Sequence, residues 1–329
     1  MEKLTRFLRS YLLLLAIGGG TLTFFAFHLL PFLAPLKPAA YFVGGDVLPW
    51  LIFVILFFSF CKVNPREMTP HYWQAYLLLI QLAACGILVY FICQENAFNA
   101  VLLEGALICV ISPTAAAAAV ITGKLGGNDS EVVAFTLADN LFSAITIPLL
   151  FPLFLTSIQG GFLDQFLLLM GKVFPVIVLP MVLAFTVRYC FKGIHHFIVT
   201  RLKDAGFYLW GVSLTVVSSR AVAGIVNSPE SAHTIWLLVL IGLLATVLQF
   251  GLGKAIAHPF GKRVSGGQAF GQRNGVFALW VALTYLNPTA AIAPGSYILW
   301  QNLVNGVQMW HRGRLIARAQ QNHTELYQE

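Results

Sequence analysis

The sequence predicts an all-α membrane protein with ten transmembrane helices, arranged as two inverted repeats of five helices. Three observations predict this fold: an apolar composition, ten apolar stretches of spanning length, and a five-residue motif that recurs about half a chain later. The 329 residues are 58% hydrophobic and only 10% charged, whereas soluble domains carry about 25% charged residues. A chain filled by ten spans has no length left for a separate nucleotide-binding, DNA-binding or catalytic domain.

Ten apolar stretches have the length of about 20 residues that a membrane-spanning helix needs. They are apolar throughout and do not alternate in short segments, which favours helices over barrel strands. Basic residues precede the first stretch, as in a signal peptide, but its length and the lack of a clear cleavage site favour a retained helix. The stretches are 10–33, 40–61, 72–94, 98–123, 131–156, 163–188, 207–227, 233–257, 265–286 and 290–311.

Basic residues predict the orientation of the chain. If the N-terminus lies inside, sixteen of the twenty Lys and Arg residues fall on the cytoplasmic side, as the positive-inside rule requires. The sequence therefore predicts a multi-pass protein of the cell inner (plasma) membrane with both termini cytoplasmic. The net charge of +7 reports this topology and does not indicate a nucleic-acid partner. The sixteen residues are Lys3, Arg6, Arg9, Lys62, Arg66, Lys124, Arg188, Lys192, Arg201, Lys203, Lys254, Lys262, Arg263, Arg312, Arg314 and Arg318.

Side chains that would carry enzyme or metal chemistry have no matching pattern in this sequence. The eight histidines show no HExxH spacing, and the five cysteines are scattered without CxxC spacing. The cysteines and the Gly18-Gly19-Gly20 run are expected to serve packing. We therefore predict that the protein is not an enzyme and has no cofactor or catalytic metal; a bound sodium ion is considered below.

An internal repeat divides the chain. Leu137-Ala138-Asp139-Asn140-Leu141 is matched by Leu299-Trp300-Gln301-Asn302-Leu303, which lies 162 residues later, close to half the chain. Five helices per repeat is an odd number, so the two repeats, 1–161 and 162–329, must have opposite orientations. Inverted repeats are typical of secondary transporters, which bind substrate near the midplane between broken helices.

Each repeat contains a predicted helix break. Pro113 interrupts the fourth stretch within Ile111-Ser112-Pro113-Thr114, and the small residues 115–119 follow it. In the ninth stretch, Gln272-Arg273-Asn274-Gly275 follows a glycine-rich segment. Unwound backbone at membrane depth must face protein or water, so the two breaks indicate a transport site. The structural residues of this crossover are predicted to be Pro113, Gly271, Gly275 and Asn302.

These motifs resemble the bile acid:sodium symporter family and its bacterial pantothenate and ketopantoate-type relatives. The resemblance rests on Ser112-Pro113-Thr114, Leu125-Gly126-Gly127-Asn128, Pro148-Leu149-Leu150, Gly271 to Gly275, Asn287-Pro288, Pro294-Gly295 and 299–303. It implies a core domain of spans three to five and eight to ten, in which the broken helices four and nine cross. Spans one, two, six and seven would form a panel domain. It also implies alternating access of an organic anion, with sodium bound behind the crossing.

The sequence departs from the family at the implied sodium site. Ala269 stands where sodium-dependent members have Glu, Arg273 stands where they have Gln, and Ala118-Ala119 replaces Ser-Asn. Thr136 matches a sodium ligand, whereas Asn140 replaces a Thr. A bound cation needs oxygen ligands and compensating charge, and an arginine repels it. Our hypothesis is that Arg273 substitutes for the coupling ion, so that transport is sodium-independent or proton-coupled.

Four charged residues lie deep in the predicted spans: Asp139, Lys172, Arg220 and Arg273. Such charges are costly in a membrane and need partners or water. The resemblance brings Asp139 and Arg273 together, either as a purely structural ion pair or as a site where protonation of Asp139 frees Arg273 for an anion. Lys172 could face the cavity, Arg220 is expected to snorkel toward an interface, and Glu104 could pair with either of them or lie at headgroup level.

Together these features predict a secondary active transporter of a small organic anion: a bile acid, a keto acid or a pantothenate-like metabolite. The predicted substrate contacts are Thr114, Lys172, Arg273 and Asn274, and the predicted ion-coupling residues are Thr136, Asp139 and Asn140. Asn302 and Asn305 are expected to bond neighbouring helices. The expected partners are the lipid bilayer and the substrate, without nucleic acid or an obligate protein partner. The alternative is a cation:proton antiporter that uses Asp139.

Overall fold

The computed structural model describes residues 2–94, 99–155, 160–228 and 230–321, and these residues fold into helices without a β-sheet. Seven of the described helical segments are long and apolar enough to cross a membrane. Two shorter apolar helices, Ala100–Ile111 and Gly275–Tyr285, belong to the two stretches that the sequence predicts to be broken.

The first part of the chain contains a long helix followed by a segmented one. Its α-helices are α1 Glu2–Leu29, α2 Lys37–Phe42, α3 Leu48–Cys61 and α4 Tyr72–Ile92. Pro31 and Pro35 lie in a 3₁₀ segment, Pro31–Leu36. A π-helical turn, Val43–Val47, then joins α2 to α3 and contains two glycines.

The fourth apolar stretch is interrupted where Pro113 predicts it. It forms α5 Ala100–Ile111 and α6 Ala117–Leu125, and α7 Asp129–Leu150 follows. The side chain of Asn99 caps α5, and that of Asn128 caps α7 by accepting from the Glu131 amide. Gly126 ends α6 in the left-handed conformation (φ 86°), which favours glycine.

The next part of the chain adds three long helices and one short one: α8 Phe162–Cys190, α9 Lys192–Arg201, α10 Ala205–Val226 and α11 Ala232–Ala257. The short helix α9 lies outside the ten predicted spans. A side chain at Gly20 of α1 would overlap the Thr215 carbonyl and Ser218 on α10, so the packing role predicted for the glycine run is confirmed at Gly20.

The ninth apolar stretch is also interrupted. It forms α12 Arg263–Gly271 and α13 Gly275–Tyr285, and α14 Ile292–Gln321 follows a 3₁₀ turn, Pro288–Ala291. The side chain of Asn274 caps α13 by accepting from the Phe277 amide at 3.2 Å. Both breaks therefore fall within two or three residues of the positions that the sequence predicts.

Candidate functional site

The two helix breaks meet inside the protein. Thr114 and Arg273 form an isolated antiparallel β-bridge, although no sheet surrounds it in the described residues. The backbone groups that the breaks remove from their helices thus bond one another, which removes the cost of leaving them unpaired in a membrane. The bridging hydrogen bonds run from Ala115 N to Gln272 O (2.9 Å) and from Asn274 N to Pro113 O (2.8 Å).

A buried ion pair lies against this bridge. Oδ2 of Asp139, on α7, accepts hydrogen bonds from Arg273 Nη1 at 2.7 Å and from the Thr114 amide at 2.7 Å. The Thr114 hydroxyl lies 2.6 Å from the same oxygen. Asp139 is fully buried and the Arg273 side chain is 2% exposed. Oδ1 of Asp139 is also buried, and it has no hydrogen-bond partner among the described residues.

Neutral hydrogen-bond acceptors and the aromatic ring of Phe270 surround the rest of the Arg273 guanidinium. Gln81 on α4 and Gln249 on α11 are not among the site residues predicted from the sequence, although each is a polar amide within an apolar span. That polarity was the available signal. Arg273 donates from Nε to Gln249 Oε1, from Nη1 to the Ser112 carbonyl (2.9 Å) and from Nη2 to Gln81 Oε1 (3.4 Å), and its guanidinium lies 4.8 Å from the Phe270 ring centroid.

Small residues let the crossover pack tightly. A side chain at Gly271 would overlap the Phe250 ring of α11, and one at Gly275 would overlap Ile298 of α14. The Gly271 carbonyl accepts a hydrogen bond of 2.8 Å from the Tyr297 hydroxyl. Gln301 Oε1 accepts from the Arg273 amide at 3.0 Å.

Thr136 and Asn140 lie on α7, the helix that carries Asp139. The Thr136 hydroxyl donates to the carbonyl of Val132 one turn earlier (2.8 Å), so its hydrogen is used within the helix. Asn140 Nδ2 donates to the Thr136 carbonyl at 2.7 Å and lies 3.4 Å from that of Thr114. Asn140 Oδ1 is buried without a partner among the described residues. The roles of Thr136 and Asn140 in ion coupling stay predictions.

Alanines occupy the positions where the resemblance implies sodium ligands. Ala118, Ala119 and Ala269 are buried and offer no side-chain oxygen. The only oxygen that Ala269 provides is its carbonyl, which lies 2.8 Å from the Thr114 hydroxyl. In the described ranges, no group of three or more His, Cys, Asp and Glu side chains could hold a metal ion.

The asparagines near the crossover have structural partners. Asn274 caps α13 through its side chain and is half-buried. Asn302 donates to the carbonyl of Ile298 within its own helix at 2.7 Å, not to a neighbouring helix. Asn305 Oδ1 accepts from Gln268 on α12 at 3.3 Å, so the prediction that it bonds a neighbouring helix is confirmed.

The remaining intramembrane charges lie apart from the ion pair. Lys172 is exposed on α8, on the same face as Leu168 and Leu179 one and two turns away. The structure therefore does not bring it to Asp139 and Arg273, and its substrate contact stays a prediction. Arg220 donates to the Leu283 carbonyl at 3.3 Å and to that of Gly44; these protein contacts replace the snorkelling expected from the sequence.

Glu104 pairs with a backbone amide and not with Lys172 or Arg220. One oxygen of its carboxylate accepts a hydrogen bond of 2.9 Å from the amide of Asn287. Asn287 precedes the turn that leads into α14, and amides at such helix starts carry positive partial charge. Glu104 therefore stabilises the connection between the ninth and tenth predicted spans.

A cavity of about 260 Å³ lies between α1 and α10 on one side and α11, α13 and α14 on the other. Its walls are almost entirely apolar and include Leu214, Val222, Leu279, Ile298 and Trp300. The indole Nε1 of Trp300 is buried and has no acceptor among the described residues. The cavity can hold the apolar part of a small organic molecule.

A bundle of helices of membrane-spanning length, with two broken helices bonded to each other at a buried charge, is typical of secondary membrane transporters. The model of the Sodium Bile acid symporter family matches residues 49–228, which is more than half of the chain. The protein belongs to this family. It is therefore a multi-pass membrane protein and a secondary transporter, not an enzyme.

The family match ends before the second helix break. It covers Pro113, Thr114 and Asp139 but not Arg273, so the C-terminal half of the crossover lies beyond it. No curated protein matches the chain.

Proposed function

We propose that the protein transports a small organic anion by alternating access and that sodium does not drive this transport. The single observation that carries the proposal is the Asp139–Arg273 ion pair at the crossover bridge. It puts a permanent positive charge where the resemblance implies a bound cation. The candidate substrates are a bile acid, a keto acid and a pantothenate-like metabolite.

The architecture in this proposal has ten spans in two inverted repeats, 1–161 and 162–329. The position of the two breaks supports it, because Ser112–Thr114 and Gln272–Asn274 are about half a chain apart and bond each other in antiparallel fashion. Both termini are cytoplasmic in this arrangement, and the protein lies in the cell inner (plasma) membrane. Reporter fusions at each terminus test the orientation, since an extracytoplasmic signal from either terminus contradicts it.

Arg273 can take the place of a coupling ion because its guanidinium is held on several sides. Asp139 neutralises it, while Gln81, Gln249 and the Ser112 carbonyl accept its remaining hydrogen bonds. A sodium ion here would meet this like charge and the methyl groups of residues 118, 119 and 269, so its dehydration would not be compensated.

Asp139 is the proposed switch. Its Oδ1 is buried without a partner, so a proton can add there without breaking another hydrogen bond. Protonation removes the negative charge that holds Arg273, which makes the guanidinium available to the substrate anion. Proton coupling therefore predicts that uptake increases as the pH falls. If the pair is only structural, uptake does not depend on this protonation and the protein is a uniporter.

Reconstituted vesicles test the proposal. A panel of organic acids is first tested for thermal stabilisation of the purified protein, and uptake of the stabilising acid is then measured with sodium or choline outside, at two pH values. We expect equal uptake in both salts. Loss of uptake on replacing sodium by choline overturns sodium independence. Asp139→Asn should abolish the pH dependence; an unchanged pH profile rejects Asp139 as the proton site.

A second candidate function is cation:proton antiport through Asp139. The observation that favours it is the fully buried carboxylate with one unpartnered oxygen beside two broken helices. Proton-linked sodium flux in vesicles without an organic substrate would select this function over anion transport.

A further inference from the structure

The short helix α9 has exposed apolar side chains that no other part of the described chain covers. Ile194 and Phe197 are each 54% exposed and lie three residues apart, on one face of the helix. Ile198 is buried against the protein. Lys192 and His196 are exposed on another face. The helix therefore has a packed side, an apolar exposed side and a polar exposed side.

Hydrogen bonds hold α9 and its flanking residues against the ends of the long helices. His195 Nε2 lies 2.8 Å from the carbonyl oxygen of Cys61, the last residue of α3. Lys62 Nζ donates to the Lys203 carbonyl at 2.8 Å, just beyond the end of α9. The Arg188 guanidinium, in the last turn of α8, donates to the Val63 carbonyl at 2.9 Å.

These contacts place α9 beside the ends of two candidate membrane spans. Cys61 and Cys190 are the last residues of two helices that are long and apolar enough to span the bilayer. Since α9 begins two residues after Cys190 and contacts Cys61, it lies beside the ends of both candidate spans. Its ten residues rise about 15 Å, which is too short to cross a membrane.

The charge around α9 is mainly basic. Arg188, Lys192, Arg201 and Lys203 lie in or beside the helix, and Asp204 is the single acidic residue in the chain segment 165–204. Lys192 lies on the polar exposed side of α9, and Arg201 lies one turn beyond Phe197 at the end of the helix. Basic residues beside large exposed apolar residues are typical of interfacial helices. Anionic headgroups complement such a helix, since basic residues near the surface attract them.

We propose that α9 lies in the membrane interface and binds anionic phospholipid. Ile194 and Phe197 enter the boundary between headgroups and acyl chains, while Lys192 and Arg201 contact lipid phosphates. Because α9 is bonded to the end of α3 and joins α8 to α10, the lipid would hold these three helices together. This inference rests on membrane insertion alone and does not depend on the transported substrate.

Spin labels test the depth of the helix. The exposed Cys93 and Cys190 are replaced by Ser, and single cysteines are placed at Ile194→Cys or Phe197→Cys, with Lys192→Cys and His196→Cys as controls on the polar side. In vesicles, labels at 194 and 197 should collide more with oxygen than with a water-soluble nickel complex, and the control labels should show the reverse order. A reversed order at 194 and 197, or protection from both reagents by a partner protein or second copy, overturns the proposal.

Lipid composition tests the headgroup chemistry. The wild type and Lys192→Gln/Arg201→Gln are reconstituted in phosphatidylcholine with and without phosphatidylglycerol, and Lys37→Gln serves as the control for loss of a basic residue elsewhere. We expect phosphatidylglycerol to raise the Tm of the wild type and of the control. In the double variant, most of this rise in Tm should be lost. An equal shift in all three proteins contradicts lipid binding at α9. An equal rise caused by inorganic phosphate alone would assign the site to free phosphate and overturn the lipid claim.

Discussion

At the scale of the residue, the burial of Arg273 is the main energetic cost of the site. A guanidinium that is 2% exposed loses nearly all of its hydration, and one carboxylate and several neutral acceptors replace it. A buried ion pair often contributes no more stability than apolar side chains of similar volume. Stability alone therefore does not explain why a span otherwise rich in small and apolar residues contains this arginine, which is consistent with a role in transport.

Removing both partners of the pair should cost less stability than the sum of removing each partner alone. Asp139→Asn leaves Arg273 charged and buried, and we expect it to lower the free energy of unfolding by about 3–5 kcal/mol. Arg273→Gln should have a comparable effect, and Asp139→Asn/Arg273→Gln should be less destabilising than the sum of the two. Denaturant unfolding of the four proteins in one detergent measures this cycle. Additive effects would contradict a direct interaction.

The amides around Arg273 should also contribute to stability. Gln249→Leu removes the acceptor of the Nε hydrogen and leaves a buried donor unpaired, with an expected cost of about 1–3 kcal/mol. Thr246→Val is the control on the same helix, because the Thr246 hydroxyl donates to the Gly242 carbonyl of its own helix and not to Arg273. Thermal unfolding of both variants measures the difference. A smaller loss of stability in Gln249→Leu than in Thr246→Val would refute the role of Gln249.

At the scale of the element, the crossover depends on two helices approaching without side chains between them. Gly271 ends α12 against the Phe250 ring of α11, and Gly275 begins α13 against Ile298 of α14. The break between these glycines leaves room for only three residues, one of which is Arg273. The tight packing thus fixes the position of the guanidinium relative to Asp139.

A methyl group at Gly271 should therefore disturb the site. Gly271→Ala places a carbon into the Phe250 ring, and overpacking of this kind costs about 1–3 kcal/mol. Gly251→Ala, on the neighbouring helix, meets no atom within 4 Å and should be neutral or stabilising by up to about 1 kcal/mol. The Tm of each variant in the same detergent provides the comparison. Equal Tm values for the two variants would show that the crossover tolerates a side chain at Gly271.

The sequence predicts the helix breaks well because Pro113 and the glycines around 271 act locally. It does not predict α9, because ten residues of mixed polarity fall below the length and hydropathy that identify a span. The contacts of Gln81 and Gln249 with Arg273 depend on how α4 and α11 are rotated against the crossover, and a single helix does not encode that rotation. Likewise, the exposed position of Lys172 depends on which face of α8 packs inward.

At the scale of the whole molecule, α10 joins the proposed panel to the proposed core. Arg220 bonds main-chain carbonyls of both, at Gly44 in the π-helical turn and at Leu283 near the end of α13. Near the end of α10, the hydroxyl oxygens of Ser228 and Thr289 lie 2.8 Å apart. These contacts join the proposed panel to the proposed core, and the alternating access that we propose requires them to separate during transport.

A cross-link across this boundary should stop transport. Ser228→Cys/Thr289→Cys, with Cys93 and Cys190 replaced by Ser, puts two thiols where the hydroxyl oxygens are 2.8 Å apart, close enough for a disulfide after local adjustment. We expect oxidation to abolish uptake and a reductant to restore it. Ser231→Cys/Thr234→Cys is the matched control, because its hydroxyl oxygens are 3.2 Å apart at the start of one helix, α11, and a link there spans no boundary. Full uptake by the oxidised 228–289 protein, with the cross-link verified by mass spectrometry, would show that panel and core need not separate at this face.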